Sequence, residues 1–273
     1  MNILDRIVAH KLKEVAESKA LVPLKKLEKS PFYDGQTVSM RKYLLNPEKT
    51  GIIAEFKRKS PSKGWINANA KVEKTTIGYM QAGASALSVL TDWEFFGGNN
   101  EDLITARKFN FCPILRKDFM IDEYQFVEAK SIGADCILLI AAILEPKRLE
   151  ELAKFAKSLG MEVLMEVHDE VELERSLNPY LDVVGVNNRN LKTFDVSVDT
   201  SLALVDKIPK EFIKISESGI SDPSTLVTLR EAGYQGFLIG ENFMKSIRPH
   251  QAAYNFMNTY RELLALKSTE SLR

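Results

Sequence analysis

The chain has 273 residues with 37 Lys+Arg against 37 Asp+Glu, so its formal net charge is zero and it lacks the basic excess of a polyanion-binding surface. Hydrophobic residues make up 45% and charged residues 27%, which is a globular composition and excludes a disordered or fibrous chain. No run approaches the roughly 18 consecutive apolar residues of a spanning helix, and the first residues, with Asp5, Arg6, His10 and Lys11, lack a signal-peptide core, so a soluble cytoplasmic protein without a membrane partner is expected.

In chain order, residues 1–50 open with an amphipathic helix that sets Ile3, Ile7, Leu12 and Val15 among Arg6, Lys11, Lys13 and Glu14, followed by a linker containing Pro23 and Pro31. This segment reads as an N-terminal helical extension packed on the rest, over its mouth. From residue 50 onward, eight short apolar runs read as strands: 52–57, 85–90, 111–117, 135–141, 161–167, 183–187, 212–217 and 236–240. Segments of helical spacing lie between them, such as Leu149, Leu152, Ala153, Phe155, Ala156 and Leu159.

Four joints share one grammar, in which a helical pattern ends at Gly83, Gly133, Gly160 or Gly233 and an apolar run follows within a few residues. The glycines are 50, 27 and 73 residues apart, close to two, one and three units of about 25. Eight βα units predict a (β/α)8 TIM barrel, with residues 1–273 as one domain and 1–50 as its extension. An open doubly wound sheet is disfavoured, because no GxGxxG follows the first strand and no composition break marks a second domain. A last helix around Tyr254 to Leu266 completes the chain, so no fused second barrel and a single activity are expected. Cys112 and Cys136 sit in apolar runs without CxxC or CxxH neighbours and read as small buried hydrophobes.

Alternation along the strands places Ile53, Glu55 and Lys57 on one face, Leu115 with Lys117, Leu164 with Glu166, Gly185 with Asn187 and Arg189, and Ile213 and Ile215 with Glu217. Five strands thus change from apolar to polar at the same end. Any one of these residues could simply begin a solvated loop; five agreeing in direction point to ionic groups that pair around one mouth, since unpaired buried charge costs several kcal/mol. A lysine is an acid at neutral pH without assistance, and a neighbouring lysine keeps Glu166 ionised as a base, a pairing suited to proton transfer around a polar ligand. Schiff-base chemistry needs a neutral lysine, which these carboxylates oppose. No metal is expected: Glu166 and His168 offer the only metal-type spacing, and His168 reads as a loop residue, while His10 and His250 lie away from the strand ends.

After the seventh strand comes Ser216-Glu217-Ser218-Gly219-Ile220, and after the eighth Ile239-Gly240-Glu241-Asn242. Loops at these two positions of a barrel commonly offer backbone N–H groups to phosphate, and Ser60 and Lys59 of the first loop could add a hydroxyl and a counter-charge. The alternative, a nucleic-acid patch built on Arg58, Lys59 and Lys63, rests on one short run in a neutral chain.

The segments IIAEFKRKSPSKG, SVLTDWEFFGG, PILRKDF, LMEVH, GVNNRNLKTF, SESGI and FLIGENFM, running in order from about residue 50 to 245, closely resemble those of the indole-3-glycerol-phosphate synthase family of tryptophan biosynthesis. KRKSPS with PILRKDF is specific; SESGI and the last glycine loop alone indicate a phosphate-binding barrel. The resemblance implies a carboxy-lyase that closes the ring of 1-(2-carboxyphenylamino)-1-deoxyribulose 5-phosphate with loss of carbon dioxide and water. It implies Lys117 as general acid, Glu166 as the group that removes a proton in the dehydration, and Lys57 on the substrate carboxylate and as a candidate proton donor. Glu55, Asn187 and Glu217 position these groups, Arg189 and Phe96 line the anthranilate side, and Ser60, Ser218, Gly219, Gly240 and Glu241 match phosphate contacts.

No metal, flavin or pyridoxal cofactor is implied, and the partner is a small phosphorylated substrate, with a monomer or weak oligomer expected. The rival readings are a phosphoribosylanthranilate isomerase-like barrel, which needs a cysteine and aspartate at strand ends where Cys112 stands at the wrong end, and a non-catalytic barrel that binds a phosphorylated metabolite and has no use for Lys117 and Glu166.

Overall fold

The computed structural model describes residues 3–190 and 194–270. Its centre is a closed parallel barrel of eight strands: β1 (Ile52–Phe56), β2 (Ala86–Leu90), β3 (Ile114–Lys117), β4 (Cys136–Ile140), β5 (Glu162–Val167), β6 (Val183–Asn187), β7 (Ile213–Glu217) and β8 (Gly236–Ile239). Closure is made by β8 against β1, with Ile53 opposite Leu238 and Ala54 opposite Ile239. Helices link successive strands, as the repeating joints predict, and Gly83, Gly133, Gly160 and Gly233 all adopt the left-handed conformation that ends a helix sharply.

Two apolar layers hold the barrel. Between strands and helices, outward residues such as Ile52, Ala54, Val89, Leu139, Val163 and Val184 pack against Leu103, Leu149, Leu152 and Leu226. Inside it, Ile53, Ala86, Leu115, Leu138, Leu164, Val183, Ile213, Ile215 and Leu238 fill the cylinder. The alternation read from sequence is therefore the division between the layers. Cys112 and Cys136 are free and buried, as expected.

Strand boundaries differ by a residue or two from expectation, and most at β3. It begins at Ile114 and not at residue 111, because Pro113 has no N–H for the ladder and Phe111 projects into solvent at 89% exposure. Cys112 consequently precedes the strand. β4 starts one residue late because Asp135 serves its neighbours, accepting from the backbone N–H groups of Val38 and Ile114 and pairing with Arg107.

The N-terminal segment does more than cover the mouth, for it seals both ends. Helix Ile3–Leu21 lies across the carboxyl end of the strands, while Met40 and Leu44 of helix Met40–Leu44 join the inner core from below. Lys11 departs from the polar face assigned to it: it is fully buried, with Nζ 3.0 Å from Asp92, 3.0 Å from Asp118 and 2.8 Å from Glu14. After β1, the two-residue strands Lys59–Ser60 and Gly64–Trp65 pair as a small hairpin that the sequence reading did not contain. Among the described residues, no helix is long and apolar enough to cross a membrane. Leu191, Lys192 and Thr193 of the GVNNRNLKTF segment lie outside the described residues.

Candidate active site

The carboxyl ends of the strands surround a cavity of about 470 Å³. Glu55, Lys57, Lys117, Glu166, Asn187 and Glu217 all line it, as do Arg189, Phe96, Ser60, Ser218, Gly219, Gly240 and Glu241. Leu138, Ile140 and Leu238 form an apolar floor, and Ile3, Leu4 and Ile7 of the N-terminal helix form the roof. Strand geometry explains the convergence: once the inner face is filled by aliphatic side chains, the next inward position at each strand end opens into the mouth.

The ionic groups pair within it. Lys117 Nζ donates to Glu166 Oε2 at 3.1 Å and lies 3.8 Å from Glu217 Oε2. Asn187 Nδ2 donates to the other oxygen of Glu166 at 3.1 Å. Lys57 Nζ lies 2.8 Å from Glu55 Oε1. Burial alone works against the Lys117 ammonium, but Glu166, Glu217 and Glu55 outweigh it and raise its pKa above the ordinary lysine value. Burial likewise opposes a charged Glu166, and Lys117, His168 and the bond from Asn187 reverse the balance, so its pKa falls below the ordinary carboxylate range.

Glu217 goes the other way. Burial, assisted by the charges of Glu166 and Glu55, overrides the attraction of Lys117 and pushes its carboxyl up to about 8. Its Oε1 is buried and has no hydrogen-bond partner among the described residues. Glu166 and Glu217 thus hold opposite protonation preferences at one mouth, Glu166 being the nearer to the Lys117 ammonium and the one that also accepts from Asn187.

Gly185 makes room for this arrangement, since a Cβ there would collide with Glu217 Oε1. Gly240 does the same for Glu55. Beside them, Ser218 and Gly219 both take positive φ, at 68° and 74°, and Gly240 precedes the short helix Glu241–Met244. The two loops follow neighbouring strands and so lie side by side at the cavity, whose lining also includes Ser60, Lys63 and Lys245. Arg189 fixes the adjoining loop: its backbone N–H donates to Asn187 Oδ1 at 3.0 Å, and its guanidinium lies 3.8 Å from Glu241.

One expected contact is corrected. Lys59 is not brought to the cavity; its Nζ donates to the Glu94 carbonyl at 2.6 Å and sits 5.8 Å from the Trp65 ring centroid. The hairpin turns Lys59 outward, and the cations lining that side are Lys63 and Lys245. Sequence reading also missed Phe119, which stacks obliquely on Phe96 with centroids 5.9 Å apart, and Phe194 and Val196, which line the wall beyond Arg189. Phe119 was recoverable, as it stands two residues after Lys117 in an already conspicuous segment. His168 is no bystander in a loop: its ring is mostly buried, with Nε2 3.4 Å from Glu166.

A closed parallel barrel whose mouth holds Lys117 against Glu166, beside two glycine-bearing loops at the ends of β7 and β8, has the architecture of a TIM-barrel enzyme. The likeness to solved structures extends to the fold alone: 3-hexulose-6-phosphate synthase from Salmonella typhimurium superposes with a TM-score of 0.61 at 11% identity, over 78% of this chain and 99% of that one. Sequence relatives are more specific. A protein of Bacteroides thetaiotaomicron named indole-3-glycerol phosphate synthase is 47% identical over 256 residues, covering 94% of this chain and 98% of the relative. One of the same name from a Polaromonas species is 44% identical over 251 residues, covering 91% and 95%. The family model described as indole-3-glycerol phosphate synthase matches residues 4–256. The chain belongs to the indole-3-glycerol phosphate synthase family.

Proposed function

We propose that this chain converts 1-(2-carboxyphenylamino)-1-deoxyribulose 5-phosphate to indole-3-glycerol phosphate, as a carboxy-lyase of tryptophan biosynthesis, with Lys117 as general acid and Glu166 as general base. The observation that carries the reading is the 3.1 Å contact between a charged Lys117 and an ionised Glu166 inside a cavity that also contains the two glycine loops.

In the first step the ring carbon that bears the carboxylate attacks the ribulose carbonyl, and Lys117 gives a proton to the carbonyl oxygen as negative charge develops there. The attacked ring is then an iminium with an sp³ carbon next to it. Loss of carbon dioxide returns the electrons of the carboxyl bond to the ring and restores aromaticity, so the decarboxylation uses the substrate's own electron sink. In the second step the new hydroxyl leaves as water with a proton from a lysine, either Lys57 or a Lys117 that has regained a proton from solvent, while Glu166 removes the proton from the neighbouring carbon and the indole double bond forms.

The remaining groups orient. Lys57 answers the substrate carboxylate, and Glu55, Asn187 and Glu217 hold the ammonium groups and sugar hydroxyls. Phe96 and Arg189 flank the anthranilate ring, joined by Phe119 and Phe194. Ser60, Ser218, Gly219, Gly240 and the Glu241 backbone take the phosphate, with Lys63 and Lys245 supplying the positive charge first assigned to Lys59. Apolar floor and roof restrict one flexible molecule to conformers in which its two reacting carbons meet, which is largely an orientation effect. This reading also places the enzyme in the cytoplasm, acting on a small phosphorylated metabolite as a monomer or weak oligomer.

Incubating the purified protein with the carboxyphenylamino ribulose phosphate tests the proposal. Indole fluorescence should grow in step with released carbon dioxide, one for one. Binding without turnover would favour the non-catalytic metabolite-binding barrel and contradict the assignment.

A further inference from the structure

The side of Glu166 away from Lys117 is occupied by His168. Its Nε2 is 3.4 Å from Glu166 Oε1 and is buried with no hydrogen-bond partner among the described residues. On the opposite edge of the ring, Nδ1 is 3.1 Å from Glu172 Oε2, and the same oxygen accepts the His168 backbone N–H at 2.8 Å. Glu172 is itself fixed in the first turn of helix Glu170–Ser176, where its N–H is capped by Asp169 at 2.8 Å. A continuous line therefore runs from a capped helix through Glu172 and His168 to the carboxylate that faces the cavity. His168 does not line the cavity, and the lining carboxylate it stands against is Glu166.

The protonation state follows from the flanking acceptors. A neutral ring with its hydrogen on Nδ1 would turn the Nε2 lone pair toward a carboxylate oxygen, setting two acceptors against each other in a site shielded from water. The imidazolium gives each carboxylate an N–H. Burial disfavours that charge, but the bond to Glu172 and the charges of Glu166, Glu172 and Glu217 outweigh it, and the His168 pKa lies above the ordinary histidine value. Lys117 and Asn187 donate to Glu166 from the opposite side, so the carboxylate is held by two hydrogen bonds from β3 and β6 and by the nearby charge of His168 at the end of β5.

We propose that His168 is a positioning residue for the base: clamped by Glu172 as an imidazolium, it keeps Glu166 ionised and aimed across the cavity, and so sets how far into acid the enzyme stays active. The inference rests on the reading of Glu166 as proton acceptor. Removing the cation must raise the Glu166 pKa and move loss of activity to higher pH. In the wild-type enzyme the same support is withdrawn in alkali, when the ring gives up its proton.

The experiment compares turnover of the carboxyphenylamino ribulose phosphate by wild type, His168→Gln, Glu172→Gln and Glu166→Gln across pH. Taking the ratio of each variant to wild type cancels the titration of the substrate's own phosphate and carboxylate. For His168→Gln the kcat ratio should fall as pH drops below about 5.5 and reach about a tenfold loss, relative to pH 8.5, at the acid end of the profile, which corresponds to about one pKa unit, with KM changed less than about threefold. Glu172→Gln should tilt the ratio in the same direction by a smaller factor.

A ratio that is flat with pH for His168→Gln overturns the proposal, because a merely structural role would lower kcat equally everywhere. If His168→Gln does not fold, Glu172→Gln decides alone, and a flat ratio there overturns it too. Glu166→Gln separates the two layers of the argument. Near-normal turnover in that variant removes Glu166 as base and this inference with it, whereas an inactive Glu166→Gln beside a flat His168→Gln ratio removes only the assignment to His168.

Discussion

Lys11, on the N-terminal helix, places its Nζ 3.0 Å from Asp118, the residue that follows Lys117 in the chain. A buried cation thus connects the roof of the cavity to the strand end that presents Lys117. Asp92 completes the clamp from the loop after β2, and Arg116 and Thr91 hold the other oxygen of Asp118. Burial would raise the Asp118 pKa, but Lys11 and Arg116 outweigh it and bring it down to about 2.

Lys11→Met should therefore destabilise the protein by about 3 kcal/mol, since it leaves two buried carboxylates without their cation. Chemical denaturation measures the loss. The acid limb of stability supplies the sign. A depressed carboxylate stabilises the fold above its unfolded pKa and the effect disappears as pH falls toward 2. Without Lys11 the Asp118 pKa rises, so acid unfolding of the variant should begin at higher pH than in wild type. KM should also rise, because Ile3, Leu4 and Ile7 reach the cavity on the helix that Lys11 anchors.

Glu217→Gln should trade activity for stability. With a folded pKa of about 8, Glu217 keeps a proton that the unfolded chain gives up near the ordinary carboxylate value. Its contribution is fully present below that ordinary value and is lost as pH rises through about 8. The amide has nothing to lose. Thermal melts should show the Tm of the variant gaining on wild type between about pH 5 and pH 9, while kcat falls.

Much of this was legible before any coordinates. The glycine joints at Gly83, Gly133, Gly160 and Gly233 marked helix ends because left-handed backbone has a residue preference, and the inner face was visible because strand periodicity is local. Glu55, Lys117, Glu166, Asn187 and Glu217 followed as the polar continuation of that face. What failed had a long-range cause. Lys11 looks like any lysine on a polar helix face, and its partners Asp92 and Asp118 lie in loops far along the chain. Lys59 was misplaced because a two-residue hairpin, too short to leave a periodic signal, reverses its direction. The late start of β3 was the exception: Pro113 was a local signal, and the expected strand ran through it.

Gly185→Ala probes the packing of the mouth at a position with no chemistry of its own. A methyl there would occupy the place of Glu217 Oε1 and also press on Ile215 and Leu164 at 3.2 Å. Displacing Glu217 disturbs the Lys117 ammonium, so kcat should fall by roughly 10- to 100-fold, in keeping with the cost of about an ångström of misplacement. Cooperative thermal unfolding and retained near-ultraviolet circular dichroism would show that the loss is local.

The pairing of Lys117 with Glu166 is tested most directly by Lys117→Met. Substrate affinity, measured by equilibrium titration, should stay within a few-fold, while turnover followed by indole fluorescence should drop by at least about 100-fold, the loss expected of a general acid. Turnover close to that of wild type in this variant would contradict the account.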